Sequence, residues 1–128
     1  MDQPGQKLTD FEELMWATGI FEGEGCISKR GTDKNGEKRF GITVKMTCKD
    51  IIQRFADCFE LKAMGPYFPN EKKKDGSPKK PCYRADTQAR DKIYEMVCLM
   101  YPYLGKKKRR DCDEFLKWYA DKTHQRYD

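Results

Sequence analysis

The sequence lacks long apolar runs and is poor in histidine. No segment of its 128 residues approaches the roughly 20 consecutive apolar residues that a membrane-spanning helix needs. The first ten residues, MDQPGQKLTD, contain no hydrophobic stretch of the secretory type. The single histidine, His124, is not accompanied by a Cys-x-x-Cys pair, so neither a zinc site nor a cysteine–histidine nucleophile is supported. We therefore expect a soluble, cytoplasmic (intracellular) protein without a membrane partner; an organelle or a phage-infected host fits equally well.

The cysteines favour free thiols over a disulfide framework. Without an export signal, widely scattered cysteines more often act as small apolar residues. The six positions are Cys26, Cys48, Cys58, Cys82, Cys98 and Cys112.

Positive charge is abundant and unevenly distributed. The formal net charge is +5, and ten of the 26 lysines and arginines fall in the segments NEKKKDGSPKK (Asn70 to Lys80) and GKKKRR (Gly105 to Arg110). Such clusters can simply be solvated lysines, but two of them beside ordered elements favour a polyanionic partner, most simply nucleic acid.

The pattern along the chain predicts one α+β domain over residues 1–128, with its core between about residues 8 and 120. TDFE fits a capping box that starts the first helix near Thr9, and Gly23 and Gly25 end that helix. CISKR and RFGITVKMT alternate as strands of a hairpin, and KDIIQRFADCFEL predicts a second helix with Ile51, Phe55, Cys58 and Phe59 on its apolar face. The remaining predicted elements are the strands AMGPYFPN and CYRADT, the helix RDKIYEMVCLMYPYL and the helix RDCDEFLKWYADK.

The predicted hairpin has two chemically different faces. Ile27, Ile42, Val44 and Met46 share the apolar face, and the opposite face carries arginine, lysine and hydroxyl groups without an acid. A strand from Arg39 to Thr47 spans roughly 30 Å at about 3.3 Å per residue, close to the roughly 34 Å of one turn of B-DNA. This face either enters a DNA major groove or is an ordinary polar surface. The predicted DNA-binding residues, on this hairpin and the other two strands, are Ser28, Arg30, Arg39, Thr43, Lys45, Thr47, Phe68, Asn70, Lys72 and Arg84.

Glycines and glutamates are concentrated at the end of the first predicted helix, in GIFEGEG. Glycine lets another backbone approach closely, so two copies of this helix could pack together at Gly19 and Gly23. Two copies of Glu24 would then lie close together and repel one another unless a cation neutralised them. Magnesium does so with hard oxygen ligands.

The segment ATGIFEGEG, Ala17 to Gly25, resembles the LAGLIDADG motif of homing endonucleases in its variant with glutamate. The resemblance implies an αββαββα fold, in which an antiparallel four-stranded saddle sheet is backed by helices. It also implies a homodimeric endonuclease that cuts double-stranded DNA at a long pseudo-palindromic site, takes no small-molecule substrate, and serves intron or intein mobility.

The same resemblance implies residue roles. Glu24 is the metal ligand and a catalytic residue, with Mg²⁺, or another divalent cation such as Mn²⁺ or Ca²⁺, as cofactor. Glu22 is expected to support the helix end. Within YPYLGKKKRR the catalytic lysine is Lys107, with Lys106 as the alternative in register. The implied dimer interface consists of Ala17, Gly19, Ile20 and Gly23.

Two other hypotheses remain open at this stage. The chain could be a maturase-like or regulatory protein that keeps the scaffold and binds DNA or RNA without cleaving it. It could also pair with a different partner chain.

Overall fold

A computed structural model of the chain describes residues 10–32, 34–36, 38–68, 76–77 and 80–127. It has the predicted α+β architecture, a four-stranded antiparallel sheet with helices. The elements are α1 (Asp10–Glu24), β1 (Gly25–Thr32), β2 (Lys38–Met46), α2 (Lys49–Cys58), β3 (Ala63–Tyr67), β4 (Cys82–Thr87), α3 (Arg90–Met100), a single 3₁₀ turn (Tyr101–Tyr103) and α4 (Lys106–Tyr127).

The sheet has the strand order β1-β2-β4-β3, and each neighbouring pair is antiparallel. Cys26 lies opposite Thr43 between β1 and β2, and Lys45 lies opposite Arg84 between β2 and β4. Strands β2 and β4 are central and β1 and β3 are the edge strands, because β4 pairs with the side of β2 that β1 leaves free. Among the described residues, no helix is both long and apolar enough to cross a membrane.

One face of the sheet packs against all four helices. Phe40, Ile42 and Val44 occupy every second position of β2 and are buried, while Arg39 just before them and Lys45 just after them are exposed. This alternation is the period of two that a strand imposes on its side chains. Ile27 completes the predicted inward set as a buried residue, and Met46 is half-buried against the core.

Two predictions about element faces and ends are wrong. On α2 the core residue is Ile52 and not Ile51, and Ala56 joins the predicted Phe55 and Phe59 in the core, while Cys58 is half-buried against it. Strand β3 ends at Tyr67, so Phe68 follows the strand instead of lying on it. The pairing of β3 with β4 is irregular between Met64 and Tyr67, which contains the Gly65–Pro66 pair.

Candidate functional site

The end of α1 runs directly into β1, and a glycine makes this junction possible. Glu24 is the last residue of α1, and β1 begins at Gly25. A Cβ atom on Gly25 would lie 2.7 Å from the carbonyl oxygen of Phe21 and in collision with the Phe21 ring. Only glycine fits there, and the junction leaves Glu24 exposed at the helix end.

Glu22 attaches the start of α4 to the same helix end. The backbone N–H of Gly105 donates a hydrogen bond of 2.5 Å to Oε1 of Glu22. A Cβ atom on Gly105 would meet that oxygen at 2.5 Å, so a larger residue here would displace the Glu22 carboxylate from this contact. The contact joins residues 83 positions apart in the sequence and sets α4 beside the last turn of α1.

The lysine cluster forms the first turn of α4. Lys106 and Lys107 are exposed, whereas Lys108 is half-buried and its Nζ lies 5.8 Å from the centroid of the Phe21 ring. The resemblance favours Lys107, with Lys106 as alternative, and leaves Lys108 out. The sequence feature that could have identified Lys108 is its spacing. It precedes the buried Cys112 by four residues and therefore lies on the same side of α4.

A metal ion is not enclosed by one copy of the chain within its described part. No group of three or more histidine, cysteine, aspartate or glutamate side chains lies together there. Glu24 offers a single exposed carboxylate at the helix end. Such a donor fits a hard divalent cation only if further oxygen ligands come from a second copy or from phosphate groups.

The side of α1 opposite Ala17 and Phe21 consists of apolar and small residues, of which Trp16 and Ile20 pack in part against the core. Met15, Trp16 and Ile20 are half-buried on this side, and Gly19 and Gly23 are exposed. A Cβ atom on either glycine would have nothing within 4 Å. We call these five residues the outward face of α1. Ala17 does not belong to it: its side chain is fully buried in the core, because it lies on the same side of the helix as Phe21.

An arginine from α2 holds Trp16 in place on this outward face. The guanidinium carbon of Arg54 lies 3.8 Å from the centroid of the Trp16 ring, a cation–π contact. Arg54 also donates to both carboxylate oxygens of Glu13, at 2.6 and 3.2 Å. The hydrogen bond from Glu13 raises the pKa of Arg54, so the guanidinium stays charged.

The sheet face opposite the helices carries the predicted polar residues in register. Lys45 of β2 lies directly opposite Arg84 of β4, a pair of like charges that disfavours the isolated sheet. Arg84 packs on Tyr67, with its guanidinium carbon 4.8 Å from the ring centroid and an Nη2 hydrogen bond of 3.3 Å to the hydroxyl group. This fixed arginine presents its planar group at the outer surface of the sheet.

The same sheet face contains an acid that the sequence pattern does not reveal. Asp86 lies opposite Thr43, and its carboxylate is 2.9 Å from Nε of Arg84, within ion-pair range although without hydrogen-bond geometry. The prediction that the outward face carries no acid therefore holds for the described residues of the hairpin β1–β2 but not for β4. The signal for Asp86 is its position two residues after Arg84, on the same side of β4.

The other predicted DNA-binding residues are placed as follows. Ser28 is half-buried opposite Gly41, Thr47 is exposed just after β2, and Phe68 exposes 72% of its surface. Arg30 lies in β1, where the pairing with β2 shifts between Lys29 and Thr32. Asn70 and Lys72 lie outside the described residues.

A cation on the helix side of the hairpin is neutralised within the chain. Lys29 forms an ion pair of 2.8 Å with Glu114 of α4. The hydrogen bond between them lowers the pKa of Glu114 and raises the pKa of Lys29. The helix side of the hairpin thus pairs Lys29 with an acid, whereas on the outward side Lys45 lies opposite Arg84, whose acid partner Asp86 belongs to its own strand.

No protein-family model matches the sequence, and no curated protein matches it. Solved structures do match in fold. The group I intron-encoded homing endonuclease I-CeuI, complexed with DNA, has a TM-score of 0.62 at 16% identity, over 96% of this chain and 61% of that chain. The LAGLIDADG homing endonuclease I-GzeII, in complex with its DNA target, has a TM-score of 0.60 at 19% identity, over 97% and 42%. The homing endonuclease I-CvuI, with its target and Ca, has a TM-score of 0.58 at 16% identity, over 80% and 62%. The chain covers less than two thirds of the length of each.

Proposed function

We propose that this chain, which has the fold of the LAGLIDADG homing endonucleases, acts as a homodimeric, divalent-cation-dependent endonuclease on double-stranded DNA. One observation carries the proposal. The exposed carboxylate of Glu24 ends a helix whose outward face is apolar and contains two glycines with nothing near them. The target would be a long pseudo-palindromic site, because a two-fold symmetric protein reads two related half-sites.

The outward face of α1 supports association with a second copy. From Leu14 to Phe21, α1 carries no charged residue, yet only Ala17, Thr18 and Phe21 are buried within this chain. An uncharged helix surface of this kind is normally buried against a partner. Gly19 and Gly23 are one helical turn apart, so a second helix can approach the backbone there without meeting a Cβ atom. Ile20 beside them supplies apolar contact. Related by a two-fold axis, the two helices would bring both copies of Glu24 to the same end of the interface.

The paired Glu24 carboxylates fit Mg²⁺, or another divalent cation such as Mn²⁺ or Ca²⁺, together with phosphate oxygens. When bound, the cation neutralises charge at the scissile phosphate and activates water for attack. Lys107 is exposed on the first turn of α4 and would stabilise negative charge that develops on the phosphate. Glu22 would act as a positioning residue, since it holds the Gly105 amide at the start of that turn.

The outward sheet face supplies the DNA contacts in this proposal. Arg84, held against Tyr67, and Lys45 opposite it offer donors for guanine edges or phosphates, and Asp86 offers an acceptor for the amino group of cytosine. The repulsion between Lys45 and Arg84 would be relieved by a polyanion. Ser28, Arg39, Thr43 and Thr47 extend this surface, and Phe68 follows β3. Arg30, Asn70 and Lys72 are proposed as further DNA contacts from the sequence alone.

The test is a Glu24→Gln protein, compared with the wild type on duplex DNA from the uninterrupted form of the locus that carries the gene. We expect wild-type cleavage with Mg²⁺ and none with a chelator, and at least a 1,000-fold lower rate for Glu24→Gln with DNA binding retained. The control Glu60→Gln removes an exposed glutamate from the α2–β3 connection and should cleave as the wild type does.

Two results would contradict the proposal. If the wild type binds this DNA but never cuts it with any divalent cation, the chain is a non-cleaving nucleic-acid-binding protein. If light scattering finds a monomer at the concentrations where cleavage occurs, the shared carboxylate site is wrong.

A further inference from the structure

A cavity of about 370 Å³ lies away from the α1 end, where the start of β2 meets α3 and α4. Its lining is strongly basic and includes no acidic residue. The polar part consists of Lys38 and Arg39 of β2, Gln88 and Arg90 before and at the start of α3, and Lys122 of α4. Trp118 and two buried apolar side chains complete the wall.

Two acids near this cavity, Glu114 and Asp91, each have another partner in the chain. Glu114, whose negative charge is felt by Lys38, forms its ion pair with Lys29 at 2.8 Å. Asp91, next to Arg90, accepts a hydrogen bond of 2.8 Å from the hydroxyl group of Tyr119. Lys38, Arg39 and Arg90 bring like charges to one small cavity, and their mutual repulsion is relieved when an anion enters.

The shape and chemistry of the cavity suit a phosphate on a nucleic-acid backbone. The two arginines offer planar groups that donate to phosphate oxygens in pairs. The half-buried Trp118, whose ring lies 5.2 Å from that of Phe40, gives a firm apolar wall for a sugar or base. The volume falls in the range of about 300 to 1,000 Å³ typical of ligand sites.

Arg39 connects the cavity lining to the outward sheet face. It lines the cavity and also alternates with the buried Phe40, so it stands on the same side of β2 as Lys45. The pairing of β4 with β2 reaches only to Thr87 opposite Ile42, so the start of β2 lies beyond β4. DNA that leaves the sheet face along this end of β2 would pass the cavity.

We propose that the cavity binds a backbone phosphate of the duplex flanking the bases that the sheet reads. The inference rests on the proposed DNA binding of the sheet face, but not on cleavage. The cavity thereby anchors the distal part of each half-site and contributes affinity that does not depend on sequence.

The test measures the dissociation constant of a long target duplex at several salt concentrations for the wild type, Arg90→Gln and the double variant Arg90→Gln with Lys122→Gln. Loss of one phosphate contact should weaken binding about eightfold near 0.1 M salt. It should also lower the salt slope, the steepness with which the logarithm of the binding constant falls with the logarithm of the salt concentration, by about 0.9. Arg90→Lys, which keeps the charge, should retain the slope. The matched control Lys117→Gln removes an exposed lysine of α4 outside the cavity and should change neither quantity.

A trimmed duplex that lacks the flanks separates this inference from the proposed function. Wild type and double variant should bind the trimmed duplex equally. Two results for a wild type that binds the long duplex would show that the cavity is not the phosphate site. One is a double variant whose salt slope equals that of the wild type. The other is a double variant that loses as much affinity for the trimmed duplex as for the long duplex. If the wild type binds neither duplex, the proposed DNA binding itself fails, and the inference falls with it.

Discussion

The two sides of α1 differ in whether the chain itself explains their glycines. At the junction of α1 with β1 and the start of α4, which we call the inward end, both glycines have a neighbour in the same chain: Phe21 requires glycine at position 25, and the Glu22 carboxylate contacts Gly105. On the outward face, Gly19 and Gly23 have nothing within reach of a Cβ atom. A glycine within a helix costs about 0.8–1 kcal/mol relative to alanine, and one copy of this chain gains no contact in return. The outward glycines therefore point to something outside the single chain.

The neighbours of these glycines support the same distinction. Trp16 is held on the outward face by Arg54, which is itself fixed by Glu13, so this face is ordered although Gly19 and Gly23 contact nothing there in the described part of the chain. At the inward end, Lys108 over Phe21 and Glu22 at Gly105 complete the packing. Folding thus accounts for one side of the helix, and association is the physical account we propose for the other.

The largest effect is expected from filling the outward face. Gly23→Leu places a side chain where a second helix would lie, so we expect the dimer dissociation constant to rise at least 100-fold, about 2.7 kcal/mol, with cleavage lost in parallel. Analytical ultracentrifugation measures the constant. Lys117→Leu adds the same side chain at an exposed position of α4 and should leave association unchanged. A Gly23→Leu protein that dimerises like the wild type would show that this face is not the interface.

The next effect concerns the inward end. Gly25→Ala forces a methyl group into Phe21, so the free energy of unfolding should fall by about 1–3 kcal/mol. Gly19→Ala meets open space, and at concentrations where the chain is monomeric it should raise that free energy by up to about 1 kcal/mol. Urea denaturation followed by circular dichroism measures both. Equal losses for the two variants would remove the distinction between the two sides of α1.

A smaller effect is expected from the contact between Glu22 and Gly105. Glu22→Ala removes the acceptor, so stability should fall by roughly 1 kcal/mol and the Gly105 amide should exchange its hydrogen faster. Glu22→Gln keeps an acceptor oxygen and should retain most of the protection. Hydrogen exchange followed by NMR reads this amide directly. If both variants protect the Gly105 amide as the wild type does, Glu22 does not hold the start of α4.

The sequence predicts the strands better than it predicts which helix residues take part in the site. Strands alternate strictly, so Ile27, Ile42 and Val44 could be assigned to the core from the period alone. On α2, both Ile51 and Ile52 fit a helical spacing, and only packing against the sheet selects Ile52.

The features missed in the site have similar causes. Lys106, Lys107 and Lys108 are chemically identical side chains in a row. Only the way α4 packs beside Phe21 makes Lys108 the half-buried one. Asp86 joins the outward sheet face because β4 pairs with β2, a strand order that the sequence pattern does not determine.

The smallest expected effect is chemical and concerns the thiol of Cys112, which is fully buried on α4. Burial, with help from Asp111 and Asp113 and against the opposing charge of Lys108, raises the pKa of this thiol from 9.0 to about 12. The fold favours the neutral thiol, so this contribution to stability is complete below about pH 9 and is lost as the pH rises toward about 12.

Because the thiolate is the reactive form, iodoacetamide at pH 8 should modify the exposed Cys26, Cys48 and Cys98 within minutes and leave Cys112 unmodified for hours. Peptide mapping by mass spectrometry follows each site. Cys112 lies close enough to Lys108 and Glu22 for both charges to act on its pKa, so it reports how tightly the inward end is closed. Glu22→Ala should therefore speed its modification a few-fold, whereas Gly19→Ala on the outward face should not. A Cys112 that reacts as fast as Cys98 in the wild type would mean that the inward end opens readily, and the difference between the two sides of α1 would lose its physical basis.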